Sequence, residues 1–262
     1  VSVNELEELY QAFQLMSDNL KDSMEQLNQA KEQEMKARSM ALQTQINPHF
    51  YYNTLSSIIV LAENGDSETV VKMCRNLSRI MRYITNTAET TVTLKDELDY
   101  VQKYLYCMKV RYQSSLNYSI HVDESLLSQP VPKLIIQPIV ENAVIHGITD
   151  SHQILHIDIL GYRDEDRLYI QVSDDGCGMS EEQLEMLRHD IDSPSSNSIG
   201  LRNVCRRISL NYGPEYKVSI ESAEGIGTMI MLCFPWKDNM SDDMEEEPTK
   251  KEEQDVPDPI SR

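Results

Sequence analysis

The apolar residues of this chain follow two different periods, and the change between them constrains the fold more than any other feature. From Val3 to Ile84 they recur mostly at steps of three and four, which places them along one side of a helix. From Asn117 onward they fall into short alternating runs, which are typical of half-buried strands. The first part of the chain therefore predicts long helices, and the second predicts a layer of strands and helices.

Residues 1–34 have the spacing of a coiled coil. No second helix precedes this segment and the intervening residues are charged or carry amides, so we expect two copies to pair as a parallel homodimer. A single helix packed on its own domain is the alternative interpretation. The residues in the pattern, interrupted only by Ser17, are Val3, Leu6, Tyr10, Phe13, Leu20, Met24 and Leu27.

A helical hairpin is predicted over residues 35–87. Pro48 removes a backbone amide, and we expect it to kink the first helix rather than end it, because the apolar stripe resumes at Leu55. Asn64-Gly65-Asp66 predicts a turn, and a second helix should run from about Ser67 to Thr85. The two stripes are too long for one chain to cover, which favours dimerisation through the hairpin.

A third helix and a mixed layer complete the predicted fold. Thr93-Leu-Lys-Asp96 has the pattern of a helix N-cap, and its helix should end near Arg111. Beyond it we expect an α+β layer of mostly antiparallel strands with helices on one face. The predicted strands are 117–122, 154–160, 168–172, 217–221 and 229–234, and the predicted helices are 133–147, 180–188 and 199–211.

Charge and cysteine content exclude several functions. The chain has 24 Lys and Arg against 43 Asp and Glu, a formal charge of −19, so we expect no nucleic acid partner. Residues 238–262 hold ten acidic and three basic residues, and we expect this acidic tail to be disordered. Residues 190–198 lack apolar periodicity and are expected to be mobile. Five scattered cysteines, never at CxxC spacing, argue against a disulfide framework or a zinc site.

Four short segments in a fixed order carry the candidate chemistry. In residues 137–147, Glu141 and Asn142 lie within an apolar helix, where a buried carboxylate or amide needs a partner. Taken alone, this segment is compatible with a purely structural Asn. Asp174-Asp-Gly-Cys-Gly178 has an acid that can accept a hydrogen bond and glycines that let backbone approach a ligand, although alone it is an ordinary turn. The others are Ser198-Ile-Gly-Leu-Arg-Asn203, whose helix opens with free amides suited to phosphate, and Gly225-Ile-Gly-Thr228.

The order and spacing of these segments resemble the ATP-binding domain shared by sensor histidine kinases, type II topoisomerases, Hsp90 chaperones and MutL repair proteins, known as the GHKL or Bergerat fold. The resemblance implies an α/β sandwich that binds ATP under a mobile lid, which would fall within residues 180–199. An ATP-hydrolysing clamp of the chaperone or topoisomerase kind is poorly supported, because those proteins have no phosphoacceptor box upstream.

The segment Gln45-Ile-Asn-Pro-His-Phe-Tyr-Tyr-Asn-Thr-Leu-Ser-Ser-Ile58 resembles the phosphoacceptor box of LytS/YesM-type histidine kinases. Arg82-Tyr83 and Tyr104…Lys109-Val-Arg-Tyr112 follow as in that group. The resemblance covers roughly residues 35–236. It implies dimerisation and histidine phosphotransfer helices over residues 35–113 and an ATP-binding catalytic domain over residues 114–237.

The N-terminal segment bears on the origin of the chain. Residues 1–20 resemble the last helix of a HAMP signalling domain, and the chain begins inside a helical pattern. No apolar run approaches the roughly 18 residues that span a bilayer. We therefore expect the cytoplasmic portion of a bacterial membrane receptor, whose sensor and membrane helices would precede Val1.

The resemblance also implies roles for individual residues. His49 would accept the γ-phosphoryl group of ATP, Asn142 would bind Mg²⁺, and Asp174 would accept a hydrogen bond from the adenine amino group. Asn53, four residues after His49 on the same helical face, is a candidate to orient water for a reverse phosphatase reaction. Glu141 is the candidate general base. The remaining nucleotide contacts would come from His146, Gly176, Gly178, Gly200, Leu201, Arg202, Gly227 and Thr228.

Three positions depart from the family's pattern. Ile145 stands where many relatives have Lys, which leaves His146 or Arg202 to contact phosphate. Asp175 replaces the usual Asn, and Ser198 replaces a common Gly. We expect an active kinase that labels its own histidine and passes the phosphoryl group to an aspartate of a response-regulator receiver domain. The alternative is a non-catalytic nucleotide-binding scaffold that signals through its coiled coil.

Overall fold

The computed structural model of this chain describes residues 48–86, 88–148, 154–192 and 199–237, together with residues 21, 24, 25 and 28. Those four isolated residues are helical and exposed. The rest of the predicted coiled coil, the helix over residues 35–47 with its kink at Pro48, and the acidic tail all lie outside the described residues. Those predictions stay predictions.

The hairpin consists of helix α1 (Pro48–Glu63) and helix α2 (Ser67–Thr85). At the turn between them, Gly65 has a φ of +79° and the Asp66 carboxylate caps α2 by accepting a hydrogen bond from the Thr69 amide at 3.1 Å. On α2, Met73, Leu77 and Ile80 are buried. The predicted turn and second helix are confirmed.

Helix α3 (Leu94–Tyr112) lies between the hairpin and the rest of the molecule. The predicted cap is present as a complete capping box, in which Thr93 and Asp96 exchange hydrogen bonds. Strand β1 (Thr91–Thr93) precedes α3 and pairs antiparallel with strand β3 (Pro130–Pro132). No periodic pattern predicts β1 and β3, because three residues are too few to establish a period.

The five predicted strands form one sheet in the order β2-β4-β5-β7-β6. Strands β2 and β4 are parallel, and the other three pairs are antiparallel. Along β4, buried residues alternate with exposed ones, so one face of the sheet is packed and the other is open, as predicted. The strands are β2 (Leu116–Val122), β4 (Leu155–Asp164), β5 (Arg167–Asp174), β6 (Val218–Ala223) and β7 (Gly227–Pro235).

Three helices cover the packed face of the sheet: α4 (Gln137–Gly147), α5 (Glu181–Asp192) and α6 (Ile199–Tyr212). Two predictions need correction here. The helix predicted over residues 133–147 begins only at Gln137, because Leu134, in the turn before it, has a φ of +56°. Residues 190–192, predicted to be mobile, form the last turn of α5. Residues 193–198 lie outside the described part of the chain.

The hairpin and the sheet domain contact each other through α3, and the predicted boundary at residues 113 and 114 remains a prediction. Short 3₁₀ turns at Gln113–Ser115 and Glu124–Leu126 flank β2. Among the helices that the structure describes, none is long and apolar enough to cross a membrane.

Candidate functional site

A cavity of about 750 Å³ lies between α4, the ends of β5 and β7, and the first turns of α5 and α6. This volume is in the range of small-molecule and cofactor sites. Its lining joins segments that are far apart in the sequence. The lining residues are Ile139, Asn142, Ala143, His146, Gly147, Val172, Asp174, Cys177, Gly178, Met179, Gln183, Met186, Leu187, Gly200, Leu201, Thr228 and Ile230.

Helix α4 turns one face toward this cavity. Ile139, Asn142, Ala143 and His146 follow the three-and-four spacing of one helical side, and all four line the cavity. Ala143 is buried, which seats the helix on the sheet domain, while Asn142 is half-buried and His146 is exposed. The sequence prediction that Asn142 and His146 belong to a binding site is consistent with this geometry.

Glu141 is on the neighbouring side of α4 and is not part of the cavity lining. Its carboxylate accepts a hydrogen bond from the Gln137 side chain at 3.2 Å. Burial, and after it the negative charge of Glu141, raises the pKa of both Tyr51 on α1 and Tyr104 on α3. The charge of Glu141 therefore acts on Tyr51, in the first turn of the helix that carries His49.

Asp174 ends β5 at the inner wall of the cavity. Its side chain accepts a hydrogen bond from the Gly176 amide at 3.0 Å. Burial raises the pKa of this carboxyl, and hydrogen bonds from the backbone of Gly176 and Thr228 partly oppose that rise. A half-buried acceptor of this kind suits a neutral N–H donor on a ligand.

Two glycines are required by the backbone around Asp174. Gly227 has a φ of +123°, and a Cβ there would overlap the carbonyl oxygen of Asp174. Gly178 has a φ of +63°, and its Cβ would overlap the carbonyl of Ala223. Gly227 lets the start of β7 approach the end of β5, and Gly178 lets the turn after β5 approach the end of β6, more closely than any side chain permits.

The other predicted glycines differ in what surrounds them. A Cβ on Gly176 would lie 2.6 Å from the Cα of Gly147, so this glycine sits against the end of α4. At Gly200 the nearest atom to an added Cβ is Cβ of Pro138 at 3.6 Å, which is ordinary contact. Packing does not require glycine at position 200.

Several lining residues were missed by the sequence reasoning. Gln183, Met186 and Leu187 of α5 line the cavity, and Met186 is 68% exposed. Cys177 and Met179 follow Asp174 and also line it. The spacing of apolar residues on α5 was the available signal, but it predicts a helix and does not say which side faces a ligand. Arg202, predicted to contact phosphate, is half-buried on α6 and is outside the lining.

The predicted phosphoacceptor lies on α1, away from the cavity lining. His49 is exposed in the first turn of α1, and Nδ2 of Asn53 lies 3.0 Å from each of its ring nitrogens. The next residue, Phe50, is buried with its ring centroid 5.0 Å from that of Tyr104 on α3. The acceptor segment thus packs on α3 through Phe50, while His49 is exposed to solvent.

Two models of known protein families match the sequence of this chain. Residues 37–116 match the model described as histidine kinase, and residues 129–238 match the model described as histidine kinase-, DNA gyrase B-, and HSP90-like ATPase. The chain therefore belongs to the histidine kinases, with the ATP-binding fold that this family shares with gyrase B and Hsp90.

Comparison with individual relatives narrows the class. The sensor histidine kinase YesM of Bacillus subtilis is 31% identical over 225 residues, which is 86% of this chain and 37% of that protein. The sensor protein LytS of Staphylococcus haemolyticus is 31% identical over 201 residues, 76% of this chain and 34% of its own. Within the histidine kinases, this chain is of the LytS/YesM type. It spans about a third of the length of these curated relatives.

Among solved structures, the histidine kinase domain of the blue-light activated histidine kinase from Erythrobacter litoralis EL346 superposes with a TM-score of 0.43 at 14% identity. That superposition covers 78% of this chain and 94% of the other.

Proposed function

We propose that this chain is the kinase core of a two-component sensor, which transfers the γ-phosphoryl group of ATP to His49 and then passes it to an aspartate of a response-regulator receiver domain. The observation that carries the proposal is the pairing of two features. One is a cavity of nucleotide size with Asn142 and Asp174 on its walls. The other is an exposed imidazole on a helix that packs against α3, which in turn contacts α4 at the cavity wall.

The adenine end of the nucleotide is proposed to lie at Asp174. The carboxylate would accept a hydrogen bond from the exocyclic amino group, and Thr228 on the adjoining strand would add a polar contact. The close backbone approach at Gly178 and Gly227 fixes the backbone on either side of Asp174. Asp174 is the only acidic side chain in the described lining of this cavity, which fits recognition of a donor on the base.

The phosphate end is proposed to lie toward α6. The first turn of this helix has backbone N–H groups without intrahelical partners, and Gly200 and Leu201 of that turn line the cavity. His146 lines the same cavity and supplies the nearest candidate cation in place of the lysine that many relatives carry at Ile145. Arg202 remains a second candidate, since it lies one residue beyond the lining.

The residues present fit Mg²⁺ that arrives with the nucleotide. No group of three or more His, Cys, Asp or Glu in the described residues is arranged to hold a metal on its own. Mg²⁺ usually takes one or two protein oxygens and completes its shell with water and phosphate. The half-buried Asn142 amide oxygen in the cavity would be that protein ligand. Bound there, the ion would neutralise charge on the β- and γ-phosphates.

At His49 the proposed step is an in-line displacement. A ring nitrogen forms a bond to the γ-phosphorus while the bond from phosphorus to the bridging oxygen breaks, and ADP leaves with that electron pair. The ring loses one proton. Phe50, the next residue, can accept none, so we propose that the Glu141 carboxylate, whose charge acts on Tyr51 in the first turn of α1, is the base. Asn53, in contact with the ring, would orient it and, in the reverse reaction, a water.

The proposed assembly is a homodimer. In the single protomer, the hairpin exposes large apolar side chains: Leu55 (47%), Ile59 (58%), Val60 (54%), Val71 (48%) and Met81 (49%). A pair of hairpins would cover them, and the predicted coiled coil of residues 1–34 would extend the pairing. We propose that this assembly is the cytoplasmic portion of a membrane sensor, in line with its relatives.

The alternative, a nucleotide-binding scaffold without catalysis, is separated from the kinase by one experiment. The chain is incubated with γ-labelled ATP, with and without Mg²⁺, and nucleotide affinity is measured on the same sample. Mg²⁺-dependent label on the protein supports the kinase. Tight nucleotide binding without label would overturn it and support the scaffold.

A further inference from the structure

A buried carboxylate joins the hairpin to the ATP-binding domain. Glu97, in the first turn of α3, is fully buried and accepts four hydrogen bonds. Three come from the backbone amides of Leu134, Ile135 and Ile136 at 2.5, 2.9 and 3.3 Å. The fourth comes from the hydroxyl of Tyr83, near the end of α2, at 2.6 Å. One side chain therefore connects the second hairpin helix with the turn that opens α4.

Both oxygens of the Glu97 carboxyl are hydrogen-bonded. Oε1 is bonded to Leu134 and Tyr83, and Oε2 to Ile135 and Ile136. Burial raises the pKa of Glu97, and the bonds from Tyr83 and from the three amides only partly oppose that rise. A buried carboxylate is costly unless it is fully bonded, so each of the four donors contributes to holding it.

The turn at residues 133–136 also accepts hydrogen bonds from α6. Arg207 on α6 is buried and donates to the carbonyl oxygens of Lys133 and Leu134. The Lys133 ammonium lies 4.6 Å from the centre of the Tyr83 ring and donates to the Asn86 carbonyl just past α2. The hairpin end thus contacts the same turn that α6 holds, and α4 and α6 are two of the three helices that line the cavity.

We propose that the Tyr83–Glu97 hydrogen bond is a positioning latch, which holds the end of the hairpin against the turn that opens α4 and so sets the position of the His49 helix relative to the ATP-binding domain. This inference rests on the proposed kinase function. The face of α3 that carries the latch also seats both hairpin helices, because Tyr100 lies 5.0 Å from the Tyr83 ring and Tyr104 lies 5.0 Å from the Phe50 ring.

The latch is built to be released. When the Tyr83 hydroxyl moves away, Glu97 keeps its three hydrogen bonds from backbone amides of the ATP-binding domain. A water molecule can then take the place of the phenol. The turn at residues 133–136 therefore stays intact while the hairpin moves. Tyr83 and Glu97 are positioning residues, since neither lines the cavity nor lies in the acceptor segment.

The test compares Tyr83→Phe with Tyr106→Phe. Both side chains lie between α2 and α3, but the Tyr106 hydroxyl makes no hydrogen bond to any described residue, and its ring lies 4.2 Å from the Lys72 ammonium. Phenylalanine preserves both rings. Because removing one partner of a buried hydrogen bond changes an equilibrium by about tenfold, Tyr83→Phe should slow single-turnover labelling of His49 at saturating ATP by about tenfold. Nucleotide affinity should stay within about twofold of wild type, and Tyr106→Phe should change neither.

A second measurement reads the latch without catalysis. Amide hydrogen exchange over residues 80–86 should become faster in Tyr83→Phe and stay at the wild-type rate in Tyr106→Phe. If the wild type takes up no label, the kinase proposal fails and the exchange result alone decides the latch. Equal exchange in the two variants, or labelling by Tyr83→Phe at or above the wild-type rate, would overturn the latch.

A double-mutant cycle shows whether the two residues act as a pair. Provided that Glu97→Gln folds, adding Tyr83→Phe to it should slow labelling by less than about twofold, because the interaction is already lost. Two fully multiplicative effects would contradict the proposal. If Glu97→Gln does not fold, the comparison of Tyr83→Phe with Tyr106→Phe stands by itself.

Discussion

Asp174→Asn separates nucleotide recognition from folding. The substitution keeps an oxygen that can accept from the Gly176 amide, a bond of 3.0 Å in the structure. It replaces the other carboxylate oxygen with an NH₂ group, which would face the adenine amino group donor to donor. The local turn should therefore survive while the proposed adenine contact is lost.

The size of the effect follows from the type of bond. A hydrogen bond to a charged group is worth about 1.5–3 kcal/mol, which corresponds to a change in Kd of about 10- to 150-fold. Since Asp174 is half-buried and partly exposed to water, we expect the lower end, about tenfold weaker ATP binding. Titration calorimetry with Mg·ATP measures this directly.

Asp174→Asn should weaken ATP binding but should not lower the stability of the folded protein. Burial raises the pKa of Asp174 above its ordinary value, so its contribution to folding is present below the unfolded pKa and is lost as pH rises through the folded pKa. At pH 7 the ionised carboxylate is therefore a cost that Asn does not have. We expect the Tm of Asp174→Asn, without nucleotide, to equal or exceed that of wild type.

The pH dependence of binding gives a further check. Wild-type affinity should fall as pH drops through the raised pKa of Asp174, because the protonated acid is the weaker acceptor. The Asn variant should lack this acid limb. The matched control is Asp175→Asn, whose carboxylate instead accepts from the His156 amide at 2.6 Å. ATP binding by Asp174→Asn within twofold of wild type would refute the adenine assignment.

Three other substitutions test the remaining proposals. General-base assistance contributes about 10²–10⁴-fold, so Glu141→Gln should slow single-turnover labelling by that range with ATP affinity retained, and a change below about threefold would exclude the base. Gly227→Ala should lower the free energy of unfolding in urea by at least about 2 kcal/mol, because the added Cβ would overlap the Asp174 carbonyl. The control, Gly200→Ala, should change this free energy by less than about 1 kcal/mol. Equal stability of the two variants would contradict the backbone geometry. Ile59→Glu should weaken the dimer at least about a hundredfold in sedimentation equilibrium, since each protomer loses a buried side chain worth about 1.5–3 kcal/mol. An unchanged dimer would move the interface elsewhere.

Much of the fold could be predicted because its signals are local. The second hairpin helix follows from the Asp66 cap and an unbroken apolar face, and the predicted bounds match those observed. The five strands of the sheet follow from alternation over five residues or more. The small pair β1 and β3 could not be found in this way, because its three-residue strands are held together only by a partner 39 residues away.

In the candidate site, too, only the residues with a local sequence signal could be predicted. Asn142, Asp174 and Thr228 were predicted from short motifs, and all three line one cavity. Met186 and Leu187 carry no motif, since their part in the cavity depends on how α5 packs against the sheet. Glu97 belongs to no motif and is, by sequence, one residue in the first turn of a capped helix. Its role depends on amides 37 to 39 residues away in a turn that was predicted to be helical.

The kinase assignment depends on where the phosphoryl group is bound. Wild type and His49→Gln are incubated with γ-labelled ATP and Mg²⁺, quenched in alkali, and divided between acid and alkaline conditions before digestion and mass spectrometry of the peptide that contains residue 49. We expect the wild-type peptide to carry label that survives alkali and is lost in acid, as a phosphoramidate would. The variant should bind ATP with wild-type affinity and carry no label. Acid-labile label retained by His49→Gln, or no label on folded wild type that binds Mg·ATP, would contradict the assignment.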